Sequence, residues 1–316
     1  MNKDFSELIK QLFNEQIRDW EQCRLGYKNL ADVKVREFHF EGYTIKIQYN
    51  PRRIASTSAK IDEQSIKERK CFLCKDNLPA GQKGLVYNND GCHVLVNPYP
   101  IFPEHFTIAS VEHKPQEIKN FFSFMLKLSR DLGKYYSVFY NGPKCGASAP
   151  DHFHFQAGTK HFLPIDNDFP MLKNKYGKLI HGDKEINLFA IDDGLRKMLS
   201  IEGSSSDKII EQFNKIYKVL EKQSGSREEP VMNISSSFEN GKWRIIIFLR
   251  EKHRPHHYFE EGEKQILLSP AIVDISGLCV TPRANDFNKI TKQDIEDIFR
   301  EVFISKEKFV NLLNNL

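Results

Sequence analysis

Residues 149–158, APDHFHFQAG, set His152, His154 and Gln156 on alternate positions, with Phe153 and Phe155 between them. Side chains alternate faces along a β-strand, so the polar groups point one way and the phenylalanines the other, into a core. Same-face neighbours lie roughly 7 Å apart, from about 3.3 Å of rise per residue. Taken alone, an H-x-H pair is accounted for by histidines satisfied within a sheet. Here a small-residue loop, PKCGASAP (143–150), precedes the strand. It offers Gly146, Ser148 and backbone N–H groups as a cradle for an anion. A neutral imidazole attacks phosphorus when its other nitrogen donates to a fixed acceptor. An amide such as Gln156 can donate to a phosphoryl oxygen without being an acid.

Working outward, YYSVFYNG (135–142) reads as a neighbouring strand. PQEIKNFFSFMLKLSRDLG (115–133) reads as a helix with Ile118, Phe122, Met125 and Leu132 on its core face. GCHVLVNPYP (91–100) and HFTIAS (105–110) are further strands, and EFHFEGYTIKIQYNP (37–51) is a hairpin. Phe5, Ile9, Leu12, Phe13, Ile17 and Trp20 recur at helical spacing near the start. Past Gln156 the pattern weakens, and one helix is expected near Ile186–Leu199. Residues 204–225 form a helix with serine and aspartate at its start. Residues 230–253 form a hairpin around Asn240-Gly241. Residues 265–282 add strand, and 291–313 a closing helix capped by Thr291. An echo between HFTIASVEHKPQ (105–116) and WRIIIFLREKHRP (243–255) hints at duplication.

Composition bounds the class. With 316 residues, 40% hydrophobic and 28% charged, the chain suits one large globular domain or two smaller ones. A net charge of +4 without a basic block gives no reason to expect nucleic acid. The opening MNKDFSELIKQLFNEQ lacks an apolar signal core, and no run of about 18 apolar residues occurs, so no membrane partner is expected. Six cysteines without a secretion signal imply a reducing compartment, with cytoplasmic location the default. In ERKCFLCKDN (68–77), Cys71-x-x-Cys74 lets two thiolates reach one ion from a tight turn. Zinc needs two more ligands, and His113 and His152 are the best-placed histidines. The alternative is that both cysteines are small buried hydrophobes and His113 lies on the surface.

These motifs resemble the histidine-triad superfamily, in the branch of galactose-1-phosphate uridylyltransferase, diadenosine tetraphosphate phosphorylase and the GDP-hexose phosphorylases. That branch's His-x-His-x-Gln is matched by His152, His154 and Gln156. YNPRRIASTSAK (49–60), CFLCKDN (71–77), VNPYPIFPEHFTIASVEH (96–113) and FYNGPKCGASAPDHFHFQ (139–156) agree in order. SPAIVDISGLCVTPRANDFNKIT (269–291) is more like the phosphorylases. The chain departs from the pattern at Asp151, inserted before the first histidine, and its second half has no His-x-His strand, so His256 and His257 read as surface residues.

The resemblance implies an α+β histidine-triad-like fold, an antiparallel sheet with flanking helices in two pseudo-repeated halves. The expected division is an N-terminal helix (1–30), a zinc-bearing catalytic half (31–165), a helical connection (166–229) and a degenerate second half (230–316). It further implies His154 as nucleophile and Gln156 as its phosphate partner. Structural zinc would be held by Cys71, Cys74, His113 and His152. Asn97 would face a ribose, and Asn141, Gly146 and Ser148 the phosphates. Arg52, Arg53 and Lys144 are candidates for a distal phosphate, and Tyr99 and Phe102 either stack on a base or fill the core. The expected activity is nucleotidyl transfer or phosphorolysis at the α-phosphate of a nucleoside diphosphate sugar or dinucleoside polyphosphate. The acceptor would be inorganic phosphate or a sugar phosphate, and the protein a monomer or homodimer. A non-catalytic nucleotide-binding zinc protein and a nucleotide hydrolase are the alternatives.

Overall fold

The computed structural model describes residues 4–87, 91–226 and 228–316, so residues 1–3 of the expected first helix lie outside the described residues. Helix α1 (Phe5–Asp19) starts at Asp4, whose carboxylate accepts from Ser6 N–H, and ends at Trp20, from which α2 (Glu21–Leu30) departs. The expected single N-terminal helix is therefore two. β1 (Lys34–Phe40) and β2 (Tyr43–Tyr49) form the expected hairpin, and two short helices follow, α3 (Ile54–Thr57) and α4 (Glu63–Glu68).

The first run of the main sheet comprises β3 (Gly84–Val86), β4 (Cys92–Val96), β5 (His105–Ser110), helix α5 (Phe122–Asp131), β6 (Tyr136–Asn141) and β7 (His154–Thr159). Helix α6 (Pro164–Tyr176) leads into the second run. This comprises β8 (Gly177–Gly182), β9 (Ile186–Asp192), β10 (Lys197–Gly203), helix α7 (Ser206–Ser224), β11 (Met232–Glu239) and β12 (Lys242–Leu249). The chain closes with α8 (Ile272–Ile275), β13 (Leu278–Thr281), α9 (Ala284–Lys289), α10 (Lys292–Val302) and α11 (Lys306–Leu313), β13 adding parallel to β2.

Strand order in the ten-stranded sheet is β3-β4-β5-β7-β6-β11-β12-β10-β9-β8. Read inward from either edge, each half gives three consecutive strands, then the fifth, then the fourth. Each half also places its helix, α5 or α7, between its third and fourth strands. This is the pseudo-repeat, joined at β6–β11, where Asn141 opposes Asn233. The topology revises the sequence echo. β5 corresponds to β10, and β12 to β7, so the echo compared strands that are not equivalent. The stretch expected as a helical connection carries β8, β9 and β10. The helix expected near Ile186–Leu199 is a hairpin of β9 and β10, turning at Gly194 with φ +91°. Alternate burial of Ile186, Leu188 and Ala190 fixes the period at two.

Two cores flank the sheet. One holds Phe153 and Phe155 with Phe122, Phe213 and Ile9, beneath α1, α5 and α7. Burying Phe153 and Phe155 contributes roughly 1.5–3 kcal/mol each. The other holds Phe102, Phe139, Ile246 and Phe248 against α6, α10 and the small sheet. Directly paired residues share a face. Thr107, Gln156, Phe139, Ser235 and Ile246 thus form one row across β5, β7, β6, β11 and β12. The polar groups of β7 continue into apolar Ile246 and Phe248 of β12, so the second half carries no matching polar pair. Residues 265–282 are mostly not strand, and the closing helix breaks at Phe303 into α10 and α11. Thr291 does cap α10, with a reciprocal bond to Asp294. Among the described residues, no helix is long and apolar enough to cross a membrane.

Candidate active site and metal centre

His152 lies just before β7, in the preceding turn rather than on the strand as its spacing predicts. It faces the Cys71–Cys74 turn instead of the cavity. Its Nδ1 is 3.2 Å from Cys71 Sγ and 3.5 Å from Cys74 Sγ, and His113 Nδ1 is 3.2 Å from Cys74 Sγ. The four ligand atoms lie within 4.8 Å of one another. A tetrahedral zinc with bonds of about 2.3 Å to sulfur and 2.0–2.1 Å to nitrogen has S–N edges of about 3.5 Å. The geometry and the donor set therefore fit zinc. His152 is oriented from behind, its Nε2 lying 2.8 Å from Ser110 O, whereas Asp151 Oδ2 stands 3.7 Å from His113 Nε2, beyond hydrogen-bond reach. Asp151 is bonded to Arg69. The inserted residue thus stands beside the Cys/His cluster, held there by Arg69.

His154 opens β7 and is 4% exposed. Its Nδ1 is 2.8 Å from His152 O, so that nitrogen carries the proton and Nε2 keeps its lone pair. Burial pushes the imidazole pKa down to about 4, leaving it neutral at neutral pH. Gln116, which the sequence reading overlooked, anchors this end of the strand. Its Oε1 accepts from His154 N–H at 2.7 Å, and its Nε2 donates to the carbonyls of His154 and Asn141 at 2.9 Å each.

Gln156 is oriented by a second overlooked residue, His105 on β5. Ile101 N–H donates to His105 Nδ1 at 3.3 Å, so the ring proton must sit on Nε2, which is 3.1 Å from Gln156 Oε1. Burial holds His105 neutral, with its pKa pushed down to about 3. The amide oxygen being thus engaged, the Gln156 NH2 group is the end left for a ligand.

His154 and Gln156 line a cavity of about 470 Å³ together with Asn97, Asn141, Gly146, Ser148 and Arg53. Asn141 spends its Oδ1 on Asn233 Nδ2 and Ile272 N–H, both 2.8 Å away, so Nδ2 is its free group. Gly146 has φ +92°, and a Cβ there would come within 2.6 Å of Ala271, so glycine is required. Tyr99 lines the cavity, whereas Phe102 is fully buried core. Two expected phosphate cations are elsewhere. Arg52 is exposed outside the cavity, and Lys144 is exposed and paired with Glu228, because both side chains leave their turns toward solvent. Opposite β7, the second half supplies His253, Arg254, Ser269 and Asp274, none of which was an expected site residue although Ser269 and Asp274 fall in the phosphorylase-like stretch 269–291.

Two family models match the chain in tandem, Domain of unknown function (DUF4922) over residues 12–159 and GDPGP1-like, C-terminal domain over residues 170–316. The structure of yeast Ap4A phosphorylase Apa2 in complex with AMP superposes with a TM-score of 0.55, at 15% identity, over 93% of this chain and 96% of that one. A galactose-1-phosphate uridylyltransferase of Bacillus subtilis is 31% identical over 145 residues, 40% of this chain and 26% of its own length. Another from Staphylococcus saprophyticus is 39% identical over 135 residues, 37% of this chain and 26% of its own. The family-model matches, one to each half of the chain, and these relatives agree with the resemblance to the transferase and phosphorylase branch of the histidine-triad superfamily. The chain spans about a quarter of the length of these two uridylyltransferases. The solved phosphorylase shares the fold along nearly all of it. In this chain the polar face of β7 stands in the first half alone.

Proposed function

We propose that the protein is a nucleotidyltransferase or phosphorylase acting at an α-phosphate by double displacement through His154. The observation that carries this is the His154 imidazole. It is neutral, tied through Nδ1 to His152 O, and placed in a cavity with the Gly146–Ser148 loop. Nε2 attacks the α-phosphorus of a nucleoside diphosphate sugar or dinucleoside polyphosphate, forming a P–N bond while the bond to the leaving phosphate oxygen breaks. The acceptor, inorganic phosphate or a sugar phosphate, then forms a new P–O bond and returns the electron pair to Nε2. Charge developing on the non-bridging oxygens meets the Gln156 amide, the Ser148 hydroxyl and loop N–H groups. Asn97 faces the ribose, and Arg53 the distal phosphate. No acid stands in for Gln156, which suits leaving groups that depart as phosphates.

Cys71, Cys74, His113 and His152 would hold a zinc ion with all four positions filled by protein, the pattern of a structural rather than a catalytic centre. Such an ion stiffens the turn that presents the His152 carbonyl to His154. The test of the reaction is incubation with α-labelled nucleotide sugars and diadenosine tetraphosphate. The wild type is expected to take up acid-labile, alkali-stable label and His154→Ala none. Label that persists in His154→Ala would exclude it as the nucleophile. Release of nucleoside monophosphate in the absence of acceptor would instead mark a hydrolase.

A further inference from the structure

The second-half wall of the cavity holds a cation that the α-phosphate chemistry does not use. Arg254 donates through Nε to Ser269 Oγ at 3.0 Å and through Nη2 to Ala59 O at 2.9 Å. Its guanidinium also lies 4.2 Å from the Tyr258 ring centroid. Arg53, across the cavity, donates to Tyr99 O and Ser56 Oγ. Neither guanidinium has a carboxylate partner among the described residues, although both line a partly desolvated cavity, where unpaired charge is costly. Asp274 acts on Arg53 as a counter-charge, but its carboxylate is occupied by Ala271 N–H and Val280 N–H, each at 2.8 Å. Burial of Asp274 raises its pKa to about 6, which weakens it further as a counter-charge. The cavity therefore carries two cations against one poorly available anion.

The position of Arg254 is fixed relative to the phosphate loop. Residues 269–272 pack on that loop: Ala271 closes against Gly146, Ile272 N–H donates to Asn141 Oδ1, and Arg250 donates to Pro270 O at 3.0 Å. Arg250 also fixes the approach to Arg254 by donating to the carbonyls of Lys252 and His253. His253 Nε2 lies 3.4 Å from Ser269 Oγ, so one hydroxyl joins the arginine and a histidine that burial keeps neutral.

We propose that Arg254, with Ser269 and His253, forms the subsite for the phosphoryl group opposite His154, which the leaving phosphate vacates in the first displacement and the phosphoryl dianion of the acceptor, the second substrate of the reaction proposed above, occupies in the second. The subsite itself rests on that reading only for the acceptor's role, since it binds the same group whether delivered as inorganic phosphate or on a sugar. In the second displacement, an unprotonated oxygen of this dianion attacks the α-phosphorus. The P–Nε2 bond of His154 breaks, the imidazole recovers its lone pair, and no proton transfer is needed.

The experiment separates the two half-reactions in the full-length protein. For Arg254→Ala, formation of labelled His154 from an α-labelled nucleotide sugar is expected to slow roughly 10- to 100-fold, because the leaving phosphate occupies the place the acceptor later takes. The acceptor concentration giving half-maximal discharge is expected to rise roughly 10- to 100-fold, the loss of a charge-assisted hydrogen-bonding group. Ser269→Ala should show a smaller shift in the same direction, and Arg18→Ala, on the outer surface of α1, none. Parallel runs with inorganic phosphate and a hexose 1-phosphate identify which source discharges the adduct, and Arg254→Ala should weaken whichever does. Calorimetric titration of wild type and Arg254→Ala with inorganic pyrophosphate stands apart from catalysis. If no nucleotide labels the wild type but pyrophosphate binding is lost in Arg254→Ala, the subsite holds and the transferase reading fails. Unchanged discharge and unchanged pyrophosphate binding in a folded Arg254→Ala protein would overturn the subsite.

Discussion

The imidazole of His154 and the amide of Gln156 are each prepared by a partner whose role is orientation. The His152 carbonyl selects the His154 tautomer, and His105 does the equivalent for Gln156 by occupying its oxygen. An amide free to rotate presents oxygen to a phosphoryl group half of the time, and that contact is repulsive. In the reaction proposed above, His105 is thus a positioning residue for the group that would meet developing charge. His105→Leu is expected to lower the nucleotidyl-transfer kcat by roughly 10- to 100-fold, in line with losing part of one preorganised donor. The donor KM should change far less. His105→Asn, which can still donate to Gln156 Oε1, should recover part of the rate. A general packing defect would instead move the melting temperature and spare this kcat-against-KM split.

At the scale of elements, β7 owes its place to its neighbours on both sides. Phe153 and Phe155 fix the strand to the α5 side, while Gln116 bonds both the end of β6 and the start of β7. The Cys/His cluster clamps the turn before β7 to the 71–77 turn and to the end of β5. Chain closure by a metal draws its stability from ligands that the unfolded chain does not preorganise. One zinc per chain is therefore expected in protein purified without chelator. Cys74→Ser, or chelation, should release it and lower the melting temperature by several degrees. Metal analysis read beside a thermal melt checks both, and a metal-free wild type melting at the same temperature would defeat the assignment.

At the scale of the molecule, the two halves are fused along β6 and β11 by buried polar contacts. Asn233 bonds Asn141 and Cys145 O on one side and Arg250 on the other. Glu229 accepts from Tyr140 OH at 2.6 Å and from Ile118 N–H at 2.5 Å, tying the entry to β11 onto the first half. Burial raises the Glu229 pKa from 4.5 to about 7. A carboxyl raised on folding contributes stability that is full below its unfolded pKa and is lost as pH rises through the folded value. The wild type is thus expected to lose stability between about pH 4.5 and 7, and Glu229→Gln to lose less over that window. Denaturant melts of the two proteins at pH 5 and pH 8 measure the difference; parallel curves would remove Glu229 from the account.

Much of this was legible in the residues. The period-two alternation around His154, the Cys71-x-x-Cys74 spacing, the Asn240-Gly241 turn and the Thr291 cap are local signals, and local backbone preference reads them directly. So is the sidedness of β7 at His154 and Gln156, because pleating leaves a strand no other choice. The hairpin of β9 and β10 was less legible. Its alternation is broken by Asp192, Asp193 and Gly194, and a short apolar run does not by itself separate helix from strand. Tertiary structure alone decided that His152 turns away from the cavity and that Asp151 stands behind His113. It likewise decided that Arg52 and Lys144 face solvent while Arg254 crosses from the other half. Those outcomes depend on contacts between residues far apart in the chain, such as Cys71 with His152 and Ala59 with Arg254, and no periodicity encodes them. The second half shows the same division. The sequence lacks a second His-x-His strand, but only the strand order identifies β12 as the counterpart of β7, with Ile246 and Phe248 filling the face that His154 and Gln156 leave open.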